Sequence, residues 1–243
     1  MTEEAEKAVG PRPGPEGELA RLKAQAREMG NWALGMVHDG WEAFRTGDLG
    51  AAQKVLDRDT ELDRFDQEIE HKVIGFLVLQ KPSAGDLRTA AALLKVTTHL
   101  DRIGRLGFDI ARITTTDESQ DVPQLVELLT AMDRTVESMV AQALDALERG
   151  DAESAKQLFH RDDEVDRMHR QATRLCVREL VHDPLSAQHL SGELLVARHF
   201  ERIADNACKI AERTIYAVTG RRRAEYLPRH PYQPYALEAP RGQ

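Results

Sequence analysis

Apolar residues recur along this chain at alternating steps of three and four, the period of an amphipathic helix. Leu19, Leu22, Ala26, Met29, Ala33, Met36 and Phe44 predict a first helix, which Gly47-Asp48 ends. Ala52, Val55, Leu62, Ile69, Val73 and Phe76 predict a second, which stops at Lys81-Pro82-Ser83 because proline lacks the N–H that a helix interior needs. Leu87, Ala91, Leu94, Phe108 and Ala111 predict a third, followed by a break over Thr114-Thr115-Thr116 and Pro123. The cycle then repeats. Leu125, Leu129, Met132, Val136, Met139, Ala143 and Leu147 give a fourth helix, ended by Gly150-Asp151. Ala155, Leu158, Val165, Ala172 and Cys176 give a fifth, up to His182-Asp183-Pro184. Leu190, Leu194, Ala197, Ala204, Cys208, Ala211 and Ile215 give a sixth, which ends near Gly220. No segment alternates at period two, so the pattern predicts six long helices and no sheet.

The halves match residue by residue. Gly47-Asp48 aligns with Gly150-Asp151, Arg58-Asp59-Thr60-Glu61-Leu62-Asp63-Arg64 with Arg161-Asp162-Asp163-Glu164-Val165-Asp166-Arg167, and His99-Leu100-Asp101-Arg102-Ile103 with His199-Phe200-Glu201-Arg202-Ile203. Duplication of a three-helix unit explains this economically. Short loops make each unit an antiparallel bundle. The expected all-α organisation is an unstructured, Pro- and Gly-rich segment over 1–16, a first unit over 17–116, a second over 121–220, and an extended Pro-rich tail over 221–243.

The seams also contain acids where leucine or alanine is expected. Asp59, Asp101, Asp162 and Glu201 fall on the apolar stripe, and Asp63, Asp166 and Asp205 lie one turn away on the same face. Counting from Pro82, Asp63 is 19 residues before and Asp101 is 19 after; Asp59 is 23 before and Arg105 is 23 after. Counting from Pro184, Asp166 is 18 before and Glu201 is 17 after; Asp162 is 22 before and Asp205 is 21 after. Equal counts from a tight turn bring residues level across a helical hairpin. The second unit therefore gathers Asp162, Asp166, Glu201 and Asp205, with His169 one turn beyond Asp166. Carboxylates without a cation among them suit a hard or borderline metal. In the first unit Asp59, Asp63 and Asp101 meet Arg105, which predicts a salt-bridge network in place of a metal. Ala204 and Ala207, like Gly104 and Gly107, are expected to leave room beside these clusters.

Composition narrows the function classes. The 243 residues carry 33 Lys and Arg against 41 Asp and Glu, a net charge of −8, which argues against nucleic-acid binding by overall attraction. Cys176 and Cys208 are too few for a disulfide framework and read as buried thiols. No apolar run is long enough to span a bilayer, and Glu3, Glu4 and Glu6 stand where a secretory signal would be basic and then apolar. The expected location is cytoplasmic.

At these residues the chain resembles the PhoU family. Glu201-Arg-Ile-Ala-Asp205 is similar to the family's acidic E(D)xxxD signature, and Asp101-Arg-Ile-Gly-Arg105 is its altered counterpart in the first repeat. Asp86-Leu87-Arg88 and Lys95, with Ile215-Tyr216, Val218 and Gly220, resemble further family positions, and the likeness runs over about residues 18–220. The resemblance implies two three-helix repeats, a homodimer, and a non-enzymatic repressor of phosphate uptake and of the phosphate-starvation response. It implies partners in the ATPase of the phosphate ABC transporter and a sensor histidine kinase, with at most peripheral membrane association through them. It also implies a divalent or trivalent metal (iron, zinc, manganese or magnesium) at Asp162, Asp166, Glu201 and Asp205. Asp59, Asp63 and Asp101 follow only if Arg105 does not displace the ion.

Two other classes compete. A metal-free helical adaptor needs no site. A di-iron oxidase needs Glu-x-x-His on two helices, and Glu68-x-x-His71 and Glu179-x-x-His182 have that spacing, but at unrelated places in the repeat. Arg221-Arg222-Arg223 complement the dipole of the last helix. Trp32 and Trp41 are expected in the core or at a dimer interface.

Overall fold

The computed structural model describes residues 14–115, 122–222 and 225. Residues 1–13 and most of the Pro-rich tail lie outside the described residues. The fold is all-α, with no strand among the described residues. The helices are α1 (Pro15–Thr46), α2 (Leu49–Leu56), α3 (Asp59–Leu79), α4 (Ala84–Arg112), α5 (Pro123–Arg149), α6 (Ala152–His182) and α7 (Ala187–Thr219), with a 3-10 turn at Pro184–Ser186 before α7.

Local chemistry sets the ends. Pro15 opens α1 at the first helical position, where its missing N–H is harmless, so the helix begins inside the segment expected to be unstructured. Gly47 closes α1 with φ 65°, and the Asp48 carboxylate then caps α2 by accepting from Ala51 N–H. The second half repeats the device: Pro123 opens α5, Gly150 closes it at φ 64°, and Asp151 caps α6 through Glu153 and Ser154 N–H. Ser83 and Asp86 form a reciprocal capping box on α4.

The expected second helix is in fact two. α2 ends at Leu56, capped by Asp57, and α3 begins at Asp59, whereas its counterpart α6 runs unbroken. Tertiary contacts gather at the break, where the Arg58 carbonyl also accepts the first helical bond of α3, from Leu62 N–H. Trp32 on α1 donates its indole N–H to the Arg58 carbonyl at 3.4 Å, and the Arg58 guanidinium stacks 4.6 Å over the same ring. Arg58 also donates to the Trp32 carbonyl and to Asp39. At the matching place Arg161 donates to Ser138 and Gln142, no indole lies there, and α6 is unbroken.

α1, α3 and α4 pack as one bundle and α5, α6 and α7 as the other. α4 lies against α7 and α1 against α5, so one apolar core runs through both halves. Trp41 of α1 meets Phe200 of α7 edge-on, with centroids 5.8 Å apart. Arg88 on α4 donates to the Ala217 carbonyl on α7 at 3.4 Å, a cation at a helix C-terminus. A Cβ on Gly220 would lie 3.8 Å from Arg88 Nε, so Arg88 and Gly220, both at positions that resemble the family's, are neighbours. The small residues do not leave room beside the acids. Ala204 and Ala207 are wholly buried, a Cβ on Gly104 would press on Leu62, and one on Gly107 would strike the α1 backbone. Cys176 and Cys208 are buried thiols, and Cys208 donates its S–H to the Leu158 carbonyl at 3.6 Å. No helix among the described residues is long and apolar enough to cross a membrane.

Candidate metal centre

The first hairpin carries its acids level, as the counts from Pro82 require. Arg105 on α4 reaches all three: Nη1 donates to Asp59 at 3.2 Å, Nη2 to Asp63 at 2.6 Å, and Nε to Asp101 at 3.1 Å. One planar guanidinium with five donors fits three carboxylates without an ion. The cluster is partly exposed, so its net worth is modest.

The second hairpin carries Asp205 at the place of Arg105. Asp162 and Asp166 on α6 face Glu201 and Asp205 on α7 within electrostatic reach of one another. Burial raises the Asp162 carboxyl to about 7, helped by the charges of Asp205, Asp166, Asp163 and Glu201. Burial also raises Glu201, opposed by Arg198, which donates to it at 2.7 Å. The other Glu201 oxygen, Oε2, is buried and accepts no hydrogen bond. Among the described residues Asp166 makes a long contact to Arg170, at 3.8 Å. His169 is buried one turn on. Desolvation, then the nearby Arg198 charge, disfavours its protonated form, which leaves the neutral imidazole a metal requires. The orphaned Glu201 oxygen and the surplus of carboxylates are ligands of the kind a hard or borderline cation takes, but no three of their ligand atoms lie within 4.8 Å of one another.

A pH dependence follows. Between pH 3.8 and about 7 the folded chain holds a proton on Asp162 that the unfolded chain has released. Stability therefore falls as pH rises through that window and stays lower above it. Asp162→Asn should flatten this decline in metal-free protein. At pH 8 it should raise the melting temperature by a few degrees, for roughly 1 kcal/mol once partial exposure is discounted. Thermal melts across pH 4–8 in a chelating buffer test this, and identical profiles for parent and variant would contradict it.

The Glu-x-x-His pairs are surface features. Glu68 pairs with Arg64 and Lys72, Glu179 pairs with Arg178, and His71 and His182 are exposed. A group absent from the sequence reading also emerges. Among the described residues, the one trio whose ligand atoms all lie within 4.8 Å of each other is His38, Asp133 and Glu137. Asp133 interrupts the stripe of Leu129, Met132 and Val136 on α5, the same signal that picked out the hairpin acids.

Comparison with known proteins agrees with this architecture. The sequence pattern of the PhoU domain matches twice, at residues 26–114 and 129–214. The chain is 33% identical to a phosphate-specific transport system accessory protein PhoU homolog of Caulobacter vibrioides, over 90% of this chain and 94% of that one. It is 30% identical to the Clostridium acetobutylicum homolog, over 85% of this chain and 94% of that one. The crystal structure of PhoU from Pseudomonas aeruginosa superposes with a TM-score of 0.78 at 30% identity, covering 85% of this chain and 99% of that one. The Streptococcus pneumoniae PhoU structure shares the fold with the same TM-score at 24% identity. The chain belongs to the PhoU family and carries two tandem copies of its domain.

Proposed function

We propose that this protein is a non-enzymatic regulator of phosphate uptake and phosphate-starvation signalling. It works by binding: as a homodimer in the cytoplasm it engages the phosphate ABC transporter ATPase and a sensor histidine kinase. The observation that carries this reading is the double match to the PhoU domain, together with relatives named as accessory proteins of the phosphate-specific transport system.

The surface supports a binding role. Ile74 and Val78 at the end of α3 are 50% and 76% exposed, and their repeat counterparts Val177 and Val181 on α6 are 45% and 76% exposed. Apolar residues exposed in register at both hairpin tips are suited to a partner surface. The buried cysteines offer no ready nucleophile, since burial pushes the Cys176 thiol up to about 12.

In this reading Asp162, Asp166, Glu201 and Asp205, with His169, hold a metal ion in the second hairpin. Like-charged side chains spread apart without a cation among them, and an ion draws them together. Bound there it supplies a fixed positive charge tying α6 to α7. The first hairpin needs none, because Arg105 already holds its carboxylates.

Gene deletion is the direct experiment. The deletion strain should show deregulated phosphate uptake and raised expression of phosphate-starvation genes at ample phosphate. Uptake and expression equal to the parent's would overturn the proposal.

A further inference from the structure

Outside both acidic hairpins, α1 and α5 bring together three possible ligands of mixed type. His38 Nδ1 lies 3.0 Å from Glu137 Oε1 and 3.7 Å from Asp133 Oδ2. Their side chains differ sharply in exposure: His38 is 51% exposed, Glu137 33%, and Asp133 only 4%. Oδ1 of Asp133 is buried and accepts no hydrogen bond. A nearly buried carboxylate with an orphaned oxygen is costly as a bare anion and is relieved by a proton or by a cation. A protonated His38 supplies it poorly. Its Nδ1–H can serve one acceptor well, and Glu137 is the nearer. Two carboxylates against one imidazolium also leave a net negative charge in a desolvated place.

We infer that His38, Asp133 and Glu137 form a binding site for one borderline divalent cation of the zinc type at the seam between the two halves. The spacing fits. Metal–ligand bonds of about 2.0–2.2 Å in tetrahedral arrangement place neighbouring ligand atoms roughly 3.3–3.6 Å apart. The observed 3.0 and 3.7 Å bracket that range, so small side-chain shifts complete the trio. One imidazole with two carboxylates selects zinc, manganese or ferrous iron over calcium and magnesium, which prefer all-oxygen sites. Glu42, one turn from His38, adds negative potential. Its own carboxylate is engaged by Arg45 at 2.6 and 3.2 Å, so it remains outside the ligand set.

Three protein ligands leave a coordination position open on the exposed His38 side, so the ion exchanges with solvent. The site also differs in kind from the hairpin clusters. Those join helices within one half, whereas His38 belongs to the first half and Asp133 and Glu137 to the second. An ion here clamps α1 to α5 and so fixes one half against the other.

The test is calorimetric titration of chelator-treated, full-length protein with Zn2+. One equivalent should bind in the Asp166→Ala variant, which lacks a ligand of the second hairpin. His38→Ala and Glu137→Gln should each weaken that equivalent at least tenfold. Cobalt substitution should give a visible ligand-field band that His38→Ala abolishes. His38 is half exposed and its replacement leaves the core intact, so loss of folding does not obscure the result. Zn2+ binding equal to the parent's in both His38→Ala and Glu137→Gln overturns the inference, as does a parent that binds no Zn2+ at this position. Because the hairpin ligand is already removed, that failure is separate from any failure of the hairpin site.

Discussion

Gly107→Ala should lower the melting temperature by roughly 6–12 °C, the largest loss expected from any single added methyl. A Cβ at this place in α4 would lie 2.6 Å from the Met36 carbonyl carbon and 2.6 Å from the Val37 nitrogen. Both atoms are α1 backbone, so relief requires parting two helices. α1 approaches as closely from its own side, since a Cβ on Gly40 would come 2.6 Å from the Gly107 carbonyl oxygen. Overpacking of well-packed cores typically costs about 1–3 kcal/mol and occasionally more; here, where only backbone can move, about 4 kcal/mol is expected. The better helix propensity of alanine returns up to about 1 kcal/mol, leaving a net loss of about 3 kcal/mol. At roughly 2–4 °C per kcal/mol for a chain of this size, the shift follows. Gly104→Ala is the internal control. Its Cβ meets the flexible end of Leu62, at 2.5 Å from Cδ2, which can swing aside. Differential scanning calorimetry on both variants decides the matter. An equal, small effect from both would show that α1 and α4 are not locked by backbone contact.

The second large effect is a gain. Arg105→Asp should convert the first hairpin into a copy of the second, with Asp59, Asp63, Asp101 and the new carboxylate level across α3 and α4. Without metal the variant should be less stable than the parent near neutral pH, because four acids then share a partly buried face with no guanidinium. With Mn2+ or Zn2+ it should recover and bind one metal equivalent more than the parent. Stabilisation by binding grows with ligand concentration, reaching about 2.7 kcal/mol at a hundredfold excess over Kd. Titration calorimetry and metal analysis after gel filtration measure the stoichiometry. An unchanged stoichiometry would refute the idea that Arg105 occupies the place of an ion.

Much of this could be read from residue order alone, for a physical reason. Caps, breakers and hairpin levels depend on near neighbours. Gly47-Asp48 and Gly150-Asp151 announce their helix ends, and counting from Pro82 and Pro184 needs only a tight turn and the helical rise. The missed features depend on helices distant in sequence. The break at Asp57-Arg58 sits where Trp32 and Asp39 on α1 hold Arg58, contacts that no pattern inside the broken helix reveals. The His38–Asp133–Glu137 group joins helices from different halves, for which no shared turn provides a ruler. The small residues were misjudged for a related cause. Periodicity identifies a close-packed face, and only the neighbouring helix shows whether the gap is open or filled.

The continuous apolar interior bears on how such a chain could arise. A scission in the connector between α4 and α5 would release no pair of self-sufficient modules, because each piece would expose the surface that its sister covers. The fragments would instead remain together as a noncovalent complex. A single ancestral copy would have faced the same need, met by pairing with its twin, and the present molecule is most simply that pair joined end to end.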